Sequence, residues 1–164
     1  MELKGRRALI TGSAKGLGKR TAQLLADAGC DVIVNYVSSR LEAEALAENL
    51  RGRGVRSAAV QADVADPKQV ERLAEEAERL LGGIDILINN AGPFIRERRL
   101  FADYTTEEII GLVNGNLLGV MLLDRLLLPG MRRRGWGRII HFGFGHAGES
   151  RAWPHRAVYA AAKT

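Results

Sequence analysis

Cysteine is almost absent from this chain, because Cys30 is the only one among its 164 residues. No disulfide can form within the chain, which favours a reducing compartment. The first seven residues lack the apolar core of a signal peptide, and no stretch approaches the roughly 20 apolar residues of a membrane span. We therefore expect a soluble, cytoplasmic protein with no membrane partner.

The chain also lacks linkers, low-complexity tracts and internal repeats, so residues 1–164 are predicted to form one domain. The net charge is +5, and the most concentrated basic run is Arg132, Arg133 and Arg134, followed by Arg138. These arginines either form a nucleic-acid surface or lie at the C-terminal end of a helix, where cations suit the macrodipole. No aromatic residues are interleaved with them and no nucleic-acid motif is present. We therefore favour the helix end, and we predict neither a nucleic-acid partner nor a metal site.

What the chain does have is a glycine-rich stretch at residues 8–18, with the sequence ALITGSAKGLG. Its first apolar residues predict a short buried strand, which Gly12, Gly16 and Gly18 follow. An amphipathic helical pattern comes next, and its predicted apolar face consists of Leu17, Thr21, Leu24, Leu25 and Ala28. A strand, a glycine turn and a helix in this order can lay a pyrophosphate across the helix N-terminus.

Each glycine has a physical role in this interpretation. Gly12 lets the chain leave the strand in a tight turn, and Gly16 lets the backbone approach phosphates without a Cβ in the way. Gly18 lets the helix pack closely on the strand. An ordinary tight turn between a strand and a helix is the alternative.

Apolar runs and helical periodicities alternate along the rest of the chain. Further strands are predicted at residues 32–37, 55–60 and 84–88. Helices are predicted at 41–50, with the apolar stripe Leu41, Ala45, Leu46 and Leu50, at 67–81, and from 106 to about Pro129. Asp66–Pro67 and the pair Thr105 and Glu108 are helix starts, and Gly82–Gly83 is a helix stop. This alternation predicts an α/β fold, a doubly wound parallel sheet with helices on both faces.

The end of the second predicted strand bears on the choice of cofactor. Sites selective for NAD usually place an Asp or Glu there to bind the ribose hydroxyls. This chain has no acid between Tyr36 and Arg40, and it offers Ser38, Arg40 and, inside the glycine turn, Lys15. A 2′-phosphate would meet cations and hydroxyls, which favours NADP(H) over NAD(H). The alternative is that Lys15 and Arg40 are ordinary solvated residues.

Six motifs occur in an order that resembles the short-chain dehydrogenase/reductase family. They are Thr11–Gly12 through Gly18, Asp63–Val64, Asn89–Asn90–Ala91–Gly92, Asn116, Gly137–Arg138–Ile139–Ile140, and Tyr159 with Lys163. Within that family the chain is most similar to bacterial β-ketoacyl-acyl carrier protein reductases. The resemblance implies a Rossmann fold, a homo-oligomer (dimer or tetramer), and hydride transfer between NADP(H) and a small carbonyl or alcohol substrate. A 3-oxoacyl thioester is one candidate substrate.

The resemblance also implies roles for individual residues. The residues expected to bind the cofactor are Gly12, Ser13, Lys15, Gly16, Leu17, Gly18, Ser38, Arg40, Asp63, Val64, Asn90, Ala91 and Gly92. Asp63 resembles the acid that receives the adenine amino group, although a turn residue would look the same. Asn89 and Asn90 resemble the pair that braces the central strands. Asn116 resembles an asparagine that holds a water connecting to the lysine, and Asn114 is its nearby rival.

Tyr159 and Lys163 are four residues apart and therefore share one face of a helix. A free phenol, with a pKa of about 10, is a poor acid–base group at neutral pH. An ammonium group one turn away stabilises the phenolate and lowers that pKa. In the family this tyrosine protonates the carbonyl oxygen, so Tyr159, Lys163 and Asn116 are the expected catalytic residues.

The chain departs from the family pattern in two places. Phe144 stands where the family has a serine that binds the substrate oxygen, and losing such a donor costs on the order of a hundredfold or more. Ser150, His146 and His141 are candidates to replace it. Family members also continue well past the lysine, so we expect a truncated chain with an incomplete C-terminal sheet edge, or a short form completed by a partner. A nucleotide-binding module without turnover is the alternative function.

Overall fold

A computed structural model describes residues 3–145 and 154–163. Its five strands are β1 (Arg7–Ile10), β2 (Asp31–Tyr36), β3 (Ser57–Gln61), β4 (Ile86–Asn89) and β5 (Arg138–His141). Its α-helices are α1 (Gly16–Asp27), α2 (Arg40–Arg51), α3 (Pro67–Leu81), α4 (Thr106–Val113), α5 (Gly119–Arg133) and α6 (Ala157–Lys163). A 3₁₀ turn (Phe101–Asp103) precedes α4, and a π-helical turn (Asn114–Leu118) joins α4 to α5.

The strands form one parallel sheet in the order β3-β2-β1-β4-β5. Strand β1 lies in the middle, with Ala8 beside Val32 of β2 on one side and beside Ile86 of β4 on the other. The chain therefore reverses its direction of winding between β1 and β4. Ligands of such sheets bind in the crevice at the carboxyl ends of the strands next to this reversal. The glycine turn after β1 lies at that place.

Both faces of the sheet are covered, as the predicted alternation requires. Ala8 and Ile10 of β1 pack with buried residues of α1 and α2, whereas Leu9 points to the opposite face and packs with α3 and α5. Since successive side chains of a strand point to opposite faces, one apolar run serves two cores. The predicted doubly wound α/β fold is confirmed.

The predicted ends of several helices are also confirmed. Asp66 caps α3 by accepting hydrogen bonds from the backbone N–H groups of Lys68 and Gln69. Gly82 ends that helix in the left-handed conformation, with φ of 78°. Thr105 and Glu108 exchange hydrogen bonds as a capping box at the start of α4.

The predicted apolar face of α1 is wrong at Leu17 and Leu24, and that of α2 is confirmed only at Leu46 and Leu50. Leu17 and Leu24 are 59% and 52% exposed, and Leu41 of α2 is more exposed still. Helix α1 instead buries Gly18, Ala22 and Ala26. The reason is close packing, since a Cβ at Gly18 would lie 2.7 Å from the carbonyl oxygen of Gly12. Only small residues fit between α1 and the sheet, so the larger ones face solvent.

The helix around Pro129 runs further than predicted. Helix α5 continues to Arg133, because Gly130 and Met131 are buried against the rest of the core. Together α4, the π-helical turn and α5 make one 28-residue helix that is long and apolar enough to cross a membrane by length and composition. The expectation that no stretch approaches that length is therefore wrong. In the structure Leu123 and Leu127 of this helix pack into the core under the sheet.

A buried ion cluster lies at the amino ends of β1 and β4, opposite the glycine turn. The carboxylate of Asp85 is 2% exposed and accepts hydrogen bonds from Arg7 Nε and Nη2, both at 2.8 Å, and from Arg134 Nε at 2.9 Å. Arg134 follows directly after α5, so it belongs to the basic run that was predicted to lie at a helix end. One arginine of that run therefore has a structural partner.

Candidate functional site

The glycine turn is held rigidly from both sides. The buried Asn35 on β2 accepts a hydrogen bond from Gly12 N–H at 3.0 Å and donates to the carbonyl oxygens of Val60 and Ala62. After β4, Asn90 Nδ2 donates to the carbonyl oxygens of Thr11 and Gly12, at 2.9 and 3.1 Å. The turn is thus fixed before any ligand arrives.

Two further residues brace the turn, Ser13 and Ala91, whereas Leu17 does not. The hydroxyl of the fully buried Ser13 donates to Ile10 O at 2.7 Å and accepts from Asn35 N–H, so its side chain braces the turn. Ala91 N–H donates to the hydroxyl of Thr11 at 2.9 Å. Leu17 lies exposed in the first turn of α1.

The space beside the turn fits a phosphate-bearing cofactor. Apart from its chain neighbours and the backbone of its own helix, no atom of the described residues lies within 4 Å of the position that a Cβ on Gly16 would occupy, and Gly16 has φ of +56°. Next to it, a cavity of about 190 Å³ is lined by the turn and by Tyr36, Val37, Ser38 and Ser39 from the end of β2. Backbone N–H groups of the turn and the start of α1 supply donors suited to an anion.

The two predicted cations near this cavity are both paired with acids of α2. Lys15 Nζ lies 2.7 Å from Glu42 Oε1, and Arg40 Nε lies 2.7 Å from Glu44 Oε1. Exposed pairs of this kind contribute little to stability, because solvent screens their attraction. A phosphate can therefore displace Glu42 from Lys15 at low cost. The Arg40 side chain extends along α2 toward Glu44.

Asp63 and Val64 lie just after β3. Asp63 Oδ1 accepts from the backbone N–H of Ala65 at 2.9 Å, which is the local turn that the sequence left open as an alternative. The side chain is only partly buried, so Oδ2 keeps its capacity as an acceptor. Val64 is buried under the crossing of α5 at Gly119.

The tyrosine and the lysine lie on α6, one turn apart. The ring of Tyr159 is half-buried and makes edge contacts with Phe94 and Phe144, whose centroids are 4.9 and 5.8 Å away. Phe144 therefore places an aromatic ring beside the phenol, at the position where the family pattern has a serine. Burial lowers the pKa of Lys163, which makes its ammonium a better proton donor.

Asn116, and not Asn114, is the asparagine that faces this site. It lies in the π-helical turn, and its Nδ2 donates to the carbonyl oxygens of Pro93 and Leu112. Its Oδ1 is buried and, among the described residues, has no hydrogen-bond partner. Both this oxygen and Lys163 Nζ lie against Gly92, where a Cβ would collide with Asn116 Oδ1 and come within 3.4 Å of Nζ.

A cavity of about 270 Å³ opens beside Asn116 and Lys163. Asn89, Asp124 and His141 also line it. His141 thus lies on the lysine's side of the site, among hydrogen-bonded polar groups. His146 and Ser150, the other candidates for the serine's role, fall outside the described residues.

Two features of the site were missed from the sequence. Asn35 lies within the apolar strand predicted at residues 32–37, and an amide inside such a run is a signal for a buried hydrogen-bonding role. Asp124 was not singled out, because a lone acid on a long helix has no distinguishing spacing. Its partners come from β4 and β5, which only the folded sheet brings together.

Comparison with known proteins places this geometry in context. A family model described as short chain dehydrogenase matches residues 6–164. The Bacillus subtilis protein YtkK, named as an oxidoreductase, is 41% identical over 96% of the chain and 62% of its own length. The 3-oxoacyl-[acyl-carrier-protein] reductase FabG of Staphylococcus aureus is 37% identical over 82% of the chain and 54% of its own length.

Among solved structures, a short chain dehydrogenase from Burkholderia cenocepacia in complex with NADP superposes with a TM-score of 0.86 at 32% identity. The match covers 99% of this chain and 64% of the other. The chain therefore spans somewhat more than half the length of these relatives.

Proposed function

The chain belongs to the short-chain dehydrogenase family, and we propose that it transfers a hydride between NADP(H) and a carbonyl or alcohol substrate. One observation carries the proposal. The four residues 89–92 connect the two halves of the site, because Asn90 bonds Gly12 of the glycine turn, and a Cβ on Gly92 would meet Asn116 and Lys163. The glycine turn and α6, which carries Tyr159, therefore lie together at the carboxyl ends of the strands.

The proposed chemistry follows from the groups at that edge. The hydride for the carbonyl carbon would come from NADPH bound at the glycine turn. Tyr159 gives its phenolic proton to the carbonyl oxygen, and the Lys163 ammonium stabilises the phenolate that remains. Asn116 Oδ1 offers an acceptor for a water between the lysine and the π-helical turn. Phe144 offers no hydroxyl to the developing oxyanion, so we expect a rate on the order of a hundredfold below that of a site with such a donor.

The cofactor-binding residues of the proposal are those of the glycine turn, the end of β2 and the ends of β3 and β4. The preference for NADP(H) over NAD(H) rests on Lys15 and Ser38 beside the cavity and on the lack of an acid between Tyr36 and Arg40. A relative binds NADP in its solved structure. Calorimetric titration with NADPH and with NADH tests the preference, and equal affinities would contradict it.

A 3-oxoacyl thioester is the proposed substrate class, on the strength of the Staphylococcus aureus relative's name. The test is oxidation of NADPH by the acetoacetyl thioester of N-acetylcysteamine and by a simple ketone. We expect turnover that Tyr159→Phe abolishes, while Tyr104→Phe, which alters a phenol away from the cavity, leaves it intact. No turnover above background, or full activity of Tyr159→Phe, would refute the catalytic role.

A second candidate function is a nucleotide-binding module without turnover. The ring of Phe144 beside Tyr159 favours it, because this ring occupies the place of a hydroxyl donor. Tight NADPH binding with no turnover would support the module over the enzyme.

We also propose a cytoplasmic homo-oligomer. Cys30, the only cysteine of the chain, is buried and forms no disulfide, which fits a reducing compartment. Exposed apolar residues on α4, the π-helical turn and α5, among them Ile110, Leu118 and Met121, fit an interface between copies. Light scattering of the purified chain would show a monomer if the oligomer proposal is wrong.

A further inference from the structure

An arginine beside the candidate catalytic tyrosine has no role in the chemistry described so far. Arg156 directly precedes α6, and its guanidinium carbon lies over the ring of Phe94, 4.5 Å from the ring centroid. The same Phe94 ring makes the edge contact with Tyr159, with the two centroids 4.9 Å apart. The guanidinium is therefore no farther from the centre of the phenol ring than these two distances combined, and one small substrate molecule can reach both groups.

The fold fixes the place of this charge relative to the phenol. The carbonyl oxygen of Arg156 accepts a hydrogen bond from the Ala160 N–H at 2.8 Å, which ties Arg156 to the first turn of the helix that carries Tyr159. The Arg156 side chain is partly buried, and the Phe94 ring separates it from the phenol. The cation and the proton donor are thus held on two sides of one aromatic ring.

Within residues 3–145 and 154–163, no carboxylate pairs with the Arg156 guanidinium and no acceptor bonds its N–H groups. Arg99, which lies on the same loop as Phe94, is different. It donates to both carboxylate oxygens of Glu108, at 2.7 and 3.2 Å, and Glu108 and more weakly Glu97 raise its pKa. Arg99 therefore has a structural partner, whereas the charge of Arg156 is available to a ligand.

The surroundings of Arg156 indicate which ligand suits it. A guanidinium over an aromatic ring gains a cation–π attraction, and its N–H donors remain free to bond another group. Their fork matches the two oxygens of a carboxylate. A singly charged group also suits a place beside the apolar rings of Phe94 and Phe144 better than a doubly charged one, because removing charge from water is costly.

Phe144 gives a second anchor on the substrate a purpose. Its ring lies 5.8 Å from the phenol ring and offers the carbonyl oxygen no hydrogen bond. A substrate held between apolar rings alone is free to turn its carbonyl away from Tyr159. A charged group bound at a distance from the reacting carbon removes that freedom and orients the carbonyl.

We propose that Arg156 binds a carboxylate of the substrate, so that the chain acts on carbonyl compounds with a carboxylate a few bonds from the reacting carbon. Such compounds are free oxo acids or thioesters whose acyl chain carries the acid. The inference rests on the proposed reductase function and narrows its substrate class. Arg156 determines affinity and orientation, and the hydride and proton steps are unchanged.

The first test compares two substrates with the same carbon chain and different charge, 5-oxohexanoate and 5-oxohexanamide. In NADPH oxidation by the wild type we expect kcat/KM to be about tenfold higher for the acid, the effect of one hydrogen bond to a charged group. Arg156→Gln should lower kcat/KM for the acid about tenfold and leave the amide unchanged. Arg156→Lys, which keeps the charge without the planar fork, should retain part of the preference.

Arg133→Gln is the matched control. This exposed arginine lies in the last turn of α5, next to Arg134 of the ion cluster at the amino ends of the strands, so its loss should change neither rate. No preference for the acid in the wild type would overturn the proposal. Equal losses for both substrates in Arg156→Gln would overturn it too, because they would mean that the arginine only supports Phe94 and Tyr159.

A measurement without turnover separates failure of the carboxylate site from failure of the reductase function. The chain is titrated by calorimetry with each compound in excess NADP⁺, which has no hydride to give to a ketone. We expect the acid to bind about tenfold more tightly than the amide, and this difference should vanish in Arg156→Gln and shrink as salt is raised. Equal affinities would overturn the proposal, whether or not the chain oxidises NADPH. Tighter binding of the acid, with no NADPH oxidation by either compound, would support the carboxylate site and count against the reductase function alone.

Discussion

Replacement of Asp85 by asparagine should destabilise the fold strongly, although the residue lies far from the candidate active site. The carboxylate is 2% exposed and bonds both Arg7 and Arg134, whose side chains are 18% and 28% exposed. Removing one partner of a buried ion pair costs about 3–5 kcal/mol, because a charge is left without compensation. Partial solvation of the two guanidinium groups reduces this, so we expect about 3 kcal/mol in the free energy of unfolding.

The loss is measured by urea denaturation at pH 7 and by thermal melting. For a chain of this size, about 3 kcal/mol corresponds to a fall in Tm of about 6–12 °C. Glu44→Gln is the matched control, because it breaks an exposed pair with Arg40 along one helix and should leave the free energy of unfolding nearly unchanged. Equal stabilities of Asp85→Asn and the control would refute the assignment of the cluster as a structural element.

The pH dependence gives an independent check on the same cluster. Burial of Asp85 opposes its ionisation, but the hydrogen bonds from Arg7 and Arg134 outweigh it and lower the pKa of the carboxyl. A lowered folded-state pKa contributes stability above the unfolded value of about 3.9, and that stability is lost as pH falls through the folded-state value. The difference between wild type and Asp85→Asn should therefore shrink in acid. A difference that stays constant below pH 3 would contradict this account.

Three further substitutions probe the site itself. Glu42→Gln frees Lys15 from its surface pair, so calorimetry should show a severalfold gain in affinity for NADPH and none for NADH; equal gains would place Lys15 away from the 2′-phosphate. Phe144→Ser returns a hydroxyl to the phenol and removes an edge contact worth about 1 kcal/mol, so kcat should rise up to about a hundredfold while stability falls slightly. A fall in kcat would show that the ring positions Tyr159. Lys163→Met should abolish turnover and raise Tm at pH 7. Burial lowers the pKa of the Lys163 amine in the folded protein, so at any pH below that pKa the charged amine destabilises the fold. The gain in Tm should shrink as pH rises toward 10, and its absence at pH 7 would mean that the amine is solvated.

The sheet could be predicted because its signals are local. Ala8–Ile10, with Gly12 behind it, combines an apolar strand and its turn within five residues, and the capping residues Asp66 and Thr105 mark helix starts by their own chemistry. Each of these depends on neighbours in sequence, so a single chain carries enough information to place them.

The faces of α1 could not be predicted in the same way. The spacing of the leucines predicted that Leu17 and Leu24 would be buried. In the structure α1 lies so close to the sheet that only small residues fit between them. The close approach is at Gly18, which packs on Asn90 and Gly12. Hydrophobic periodicity records which residues are apolar and does not record how much space the partner surface leaves.

The candidate site also combines residues that local sequence predicts with residues that it does not. Tyr159 and Lys163 share a helix face by spacing alone, so their pairing was predictable. Asn35 and Asp124 make contacts with residues of other strands or loops. The spacing of residues within a single helix or strand does not predict such contacts. Residues marked by local motifs could be proposed from the sequence, whereas residues whose partners come from other strands or helices could not.

The π-helical turn at Asn114–Leu118 sets a limit on which insertions and deletions this helix tolerates. A wide turn carries one residue more than a regular one, and each α-helical residue advances the chain by about 100° around the axis. Deleting one residue there would restore a regular α-helical turn. Either Asn116 would then move away from Gly92, or α5 would rotate and turn Leu123 and Leu127 out of the core. Length variants of the chain should therefore occur on its surface turns and spare this segment.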